Sequence, residues 1–128
     1  MAWTPARGRQ VLEVVHLLEN EMTVFRVVDT SRRGDDNFRS AYELGAPPPR
    51  RIQLVSTPIW MALSTLTTLD MARSRARAFP VLGNKIAEMH LQAGLGFALA
   101  ETIEEGHVSV WGDPVKLRAS VVDVYPLS

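Results

Sequence analysis

Arg26, Ser64, Glu88, Glu101, His107 and Trp111 are the side chains of this 128-residue sequence that could do chemistry while sitting on strands. Arg26 lies among valines in VFRVV, Ser64 in MALSTL, Glu88 in KIAEMHL, and Glu101 closes ALAE. His107, Ser109 and Trp111 alternate with Val108 and Val110 in HVSVW. A guanidinium forks onto phosphate oxygens, and an imidazole carries protons near neutral pH. A carboxylate stabilises developing positive charge, and an indole offers a flat stacking face. Strand residues alternate sides, so Glu88 and His90 share one face while Ala87, Met89 and Leu91 take the other. The same rule sends Val108 and Val110 to the core and leaves His107 and Trp111 to line a cleft.

Plainer roles compete at each position. Arg26 could be an edge-strand residue reaching solvent or a buried anion clamp. Glu88 and Glu101 could simply face water, Trp111 could anchor packing, and Ser64 could satisfy a backbone group. His16 reads as a surface position on a helix.

The elements that must position these groups follow from local pattern. Thr4 and Pro5 start an amphipathic helix over 5–20, with Val11, Val14, Val15 and Leu18 at helical spacing. Residues 23–28 read as a strand, 31–37 (SRRGDDN) as a mobile polar loop, and 38–44 as a short helix ended by Gly45. Pro47, Pro48 and Pro49 make a stiff extended linker. Residues 58–66 read as a turn entering a strand. Thr67 and Asp70 form a capping box for a helix whose buried stripe is Leu69, Ala72, Ala76 and Phe79, ended by Pro80. On that helix Arg73 and Arg77 share a face, with Arg75 round the side; the face is either solvated or phosphate-binding. Residues 85–91, 96–102 and 107–111 are strands joined by glycine-bearing connections that favour hairpins. Asp113 and Pro114 start a short helix, and 120–127 closes as a strand. The sum is one α+β domain over 1–128, with an N-terminal helix (1–21) and a core (22–128) of about six mostly antiparallel strands.

Composition excludes several classes. Fourteen basic residues, twelve of them Arg, balance fourteen acidic ones, so no global field favours nucleic acid or anionic lipid. There is no cysteine, and three scattered histidines give no metal-ligand spacing, so no metal is expected. Walker, GxGxxG, GxSxG and HExxH motifs are absent. No apolar signal core or membrane-length run is present, which points to the cytoplasm.

Several stretches carry a resemblance: VFRVV, FRSAYELG with PPPRR, the run from WMALSTL to GNKIAEM, and AETIEEGHVSVWGDP with VVDVYPL. Over roughly 24–127 they are similar to a small bacterial family with a C-terminal GHxTxWGDP motif. More distantly, their order resembles the RES-domain and ADP-ribosyltransferase-like folds, in which a split sheet binds NAD. The resemblance implies that Arg26 holds the NAD phosphates, that Ser64 and Thr68 belong to the central strand and its helix, and that Glu101 is the late glutamate, followed by Thr102. Ala62 and Leu66 depart from the pattern, which has Gly and an aromatic there. The implied chemistry is cleavage of the nicotinamide–ribose bond through an oxocarbenium-like state, stabilised by Glu101 or Glu88. A non-catalytic regulatory module, pairing with a protein partner or a second copy, and a small lyase or cyclase using the same cleft are the alternatives.

Overall fold

The computed structural model describes residues 15–41, 43–45, 61–101 and 105–128. Most of the expected N-terminal helix, the Pro47–Pro49 linker, the turn at Pro58 and Thr102 lie outside the described residues.

Among the described residues, β-branched and apolar runs pair into one antiparallel sheet of seven strands. These are β1 (His16–Leu17), β2 (Met22–Val28), β3 (Leu63–Leu66), β4 (Lys85–Leu91), β5 (Ala98–Glu101), β6 (His107–Trp111) and β7 (Val121–Tyr125). Their spatial order is β1-β5-β6-β3-β2-β4-β7. Helix α1 (Leu69–Ala78) covers one face and helix α2 (Pro114–Ala119) the other. The α+β class and single-domain organisation read from the sequence hold.

Alternation sorts the two faces. On the α1 face Val27, Leu66 and Ile86 pack with Ala72 and Ala76, flanked by Phe25 and Tyr125. On the α2 face Val24, Met89, Phe97, Val108, Val110 and Leu117 form the larger cluster, with Phe38 added from a single 3-10 turn at Asp36–Phe38.

Several local expectations are corrected. His16 and Leu17 are not helical: they pair with Leu99 and Ala98, and the Leu18 N–H donates to the Phe97 carbonyl, so β1 closes the edge of β5. This adds the seventh strand. The described residues of 38–44 do not form one helix. The 3-10 turn ends at Phe38, and a separate turn follows in which Ser40 and Glu43 each accept from the other's backbone N–H. The cap of α1 is Thr68, not Thr67; its hydroxyl oxygen accepts from the Met71 N–H at 3.1 Å. Phe79 leaves the buried stripe because α1 stops at Ala78, and it is 52% exposed. Strands β4 and β5 do not form a hairpin. β4 pairs with β2 and β7, whereas β5 pairs with β1 and β6, so the 92–97 connection crosses between the two ends of the sheet.

No helix among the described residues is long and apolar enough to cross a membrane. Val110, 1% exposed in the larger cluster, tests the face assignment. Val110→Ala is expected to cost about 2–3 kcal/mol in chemical denaturation, the lost methyl groups plus the cavity left behind. A loss below about 0.5 kcal/mol would contradict the packing described.

Candidate functional site

The sheet opens between β2 and β3. Their sole register pair is Phe25 with Leu66. Continued in register, Ser64 would face Val27, but that pairing is not made. Instead Arg26 turns its side chain into the gap. Its Nη1 donates to the Ser64 carbonyl at 2.8 Å and its Nε to the Asn37 carbonyl at 2.6 Å. β2 is interior, between β3 and β4, so Arg26 is not an edge-strand residue.

The loop beyond β2, expected to be mobile, carries several short polar bonds. Asn37 spans Asp29, accepting from its N–H and donating to its carbonyl, both at 2.8 Å. The Asp29 carboxylate accepts from the Ser31 N–H and hydroxyl, and these bonds hold its pKa below the usual value. Asn84 brackets Thr30, and the Asn84 N–H donates to the Val28 carbonyl. Gly83 makes that approach feasible: a Cβ there would lie 2.1 Å from the Val28 oxygen.

The opening contains a cavity of about 140 Å³ lined by Phe25, Arg26, Val27, Arg32, Ser64, Leu66, Arg75, Leu82 and His107. Three arginines from a strand, a loop and a helix therefore converge on it, and no carboxylate among the described residues lines it. Burial and then repulsion from Arg32 push the Arg26 pKa down to about 10, which still leaves it protonated at neutral pH. His107 forms the opposite wall. It is 2% exposed and opposite Leu66 in the β3–β6 ladder. Gly106 sets its position: at φ 83 it fits against Met71 of α1, and its carbonyl accepts from the Thr67 N–H.

Of the residues singled out from sequence, the cavity thus gathers Arg26, Ser64 and His107. Four others lie elsewhere. Glu101 ends β5 exposed, opposite Val108, and so points with the α2 face. Trp111 is half-buried at the far end of β6, about 13 Å along the strand from His107. Thr68 is occupied as the α1 cap. The Glu88 carboxylate is held by the Tyr125 hydroxyl and by His90 Nε2, both at 2.6 Å. His107 and Ser109 are themselves buried, because β6 lies inside the sheet between β5 and β3.

Sequence reasoning missed Arg32, and it set Arg75 only at the side of the α1 arginine face that was either solvated or phosphate-binding. Arg75 borders the Ala72–Ala76 stripe, a signal available from helical spacing, while Arg73 instead donates to the Pro126 carbonyl. Arg32 carries no periodic signal. A scan against protein-family models found no match, and searches of curated proteins and solved structures found none.

Two outcomes test this geometry. Arg26→Ala is expected to cost about 1–3 kcal/mol, since it strips the donor from two carbonyls. Arg32→Ala, at an exposed loop position, should stay within about 0.5 kcal/mol of the parent. Equal losses would mean that Arg26 does not hold the seam.

The second concerns pH. The Tyr125 hydrogen bond, then that of His90, lowers the Glu88 pKa from 4.5, while Glu88 raises that of Tyr125 to about 12. The folded state thus favours ionised Glu88, and its contribution to stability is present above the unfolded value and lost as pH falls through the depressed one. Tyr125→Phe should move the Glu88 midpoint upward in a carboxyl NMR titration. An unchanged midpoint would refute the assigned cause.

Proposed function

We propose that the protein binds a phosphorylated small molecule in the opening between β2 and β3, and that this ligand is NAD or a close relative of it. The observation that carries the reading is the convergence of Arg26, Arg32 and Arg75 on one cavity without a lining carboxylate among the described residues. Arg32 repels the desolvated Arg26, and a phosphate between them would relieve that repulsion while accepting from several guanidinium N–H groups. Arg26 has five N–H donors and spends two on carbonyls, so its fork is oriented before a ligand arrives. The resemblance to ADP-ribosyltransferase-like folds narrows the phosphate ligand to NAD.

A second reading adds catalysis. Water would attack the ribose carbon of the nicotinamide–ribose bond, the bonding pair would leave with nicotinamide, and the water's proton would be released. A carboxylate is needed to stabilise the cationic transition state. Glu105 favours this reading, since it lines a groove of about 430 Å³ that shares Leu66 and Arg75 with the cavity. Glu101, directed to the α2 face, favours binding without turnover.

Calorimetric titration with NAD and ADP-ribose tests the first reading. Arg32→Ala and Arg75→Ala should each weaken binding about ten- to hundredfold, as expected for lost charge-assisted hydrogen bonds. No binding by the parent protein, or unchanged affinity in both variants, would overturn it. Nicotinamide release that survives Glu101→Gln but not Glu105→Gln would establish the catalytic reading; no release by the parent protein would eliminate it.

A further inference from the structure

Phe79 is placed where packing gives it nothing to do. It caps the C-terminus of α1, donates its N–H to the Arg75 carbonyl at 2.9 Å, and is held by the following Pro80, which restricts its backbone. Yet its ring is half exposed, unlike the buried Ala72 and Ala76 of the same helix. An isolated exposed apolar residue is ordinary on a protein surface. This one has two further properties. The ring lines the groove adjoining the arginine cavity, where Met71 and Ala78 supply further apolar wall. It also lies 5.7 Å from the Arg75 guanidinium carbon, and Arg75 lines both the groove and the cavity.

Resting on the phosphate-binding reading above, we infer that the groove is a nucleobase subsite, in which a planar base stacks on Phe79 while its phosphates lie on the arginines next door. A ring face offers stacking to any base, and the Arg75 guanidinium joins that stack from the phosphate side. Where the site binds without turnover, Glu105 is left to orient the base. A carboxylate in the groove repels phosphate and can only accept hydrogen bonds, so it suits a base bearing an exocyclic amino group, as adenine, guanine and cytosine do. The ligand class is therefore a nucleotide with an amino-bearing base, as against a sugar phosphate or a free phosphoanion.

The test compares ADP with inorganic pyrophosphate by calorimetry at fixed salt, on the parent protein, Phe79→Ala and Phe79→Trp. ADP should bind the parent at least about tenfold more tightly than pyrophosphate, the increment expected of one stacked base. Phe79→Ala should erase that gap and leave pyrophosphate affinity unchanged, and Phe79→Trp should restore it. If pyrophosphate binds and ADP binds no better, the base subsite is wrong while the arginine site stands. If the gap persists in Phe79→Ala, the base lies elsewhere and the assignment of Phe79 falls. If neither ligand binds the parent, the phosphate reading fails and the subsite with it.

Discussion

The Arg26 guanidinium in the seam between β2 and β3 is the contact on which the rest of the architecture depends. A seven-stranded sheet held across its middle by one residue pair would be two smaller sheets with a gap. Arg26 bridges the gap by donating across it to the Ser64 carbonyl and back to the Asn37 carbonyl. A long aliphatic side chain could fill the same space but would leave those carbonyls without a donor. The valines on either side of Arg26 in sequence pack into the two opposite faces, Val27 with α1 and Val24 and Val28 with α2. The strand is thereby held on both sides, and the charged group is kept in the opening instead of swinging out to water.

Around that seam, small residues and side-chain amides do the positioning. Gly83 lets the turn before β4 rest on the Val28 backbone, and Asn84 and Asn37 stitch the loop carrying Arg32 to the end of β2. Gly106 brings the start of β6 against Met71, which fixes α1, and with it Arg75, relative to His107. The two flanking cations thus inherit their geometry from contacts made several residues away.

Alternation, and the Asp113–Pro114 start of α2, were the legible parts of the chain. A period of two reports directly which side of a strand is buried, so Val108 and Val110 could be assigned without knowing the partners of β6. The same period placed Glu101 in register with Phe97 and Leu99, and that is why it follows them toward the α2 face. Strand partnership was legible only in part: β5 and β6 form the hairpin expected of them, whereas β4 and β5 do not. A short glycine-bearing link looks like a hairpin locally, and only the competition of β2 and β7 for β4 shows that β4 and β5 part company. Arg32 was hidden for a related reason: its place depends on Asn37 and Asn84 meeting residues distant in sequence, which no local pattern encodes.

The two halves of the opened sheet are interleaved along the chain. One half holds β1, β3, β5 and β6, the other β2, β4 and β7. No contiguous stretch of sequence contains one complete half without strands of the other. Completing either half therefore requires pairing strands far apart in sequence, at the loop-closure entropy that long connections cost. The opening is bounded by a strand from each half, so its shape depends on segments drawn from nearly the whole described chain.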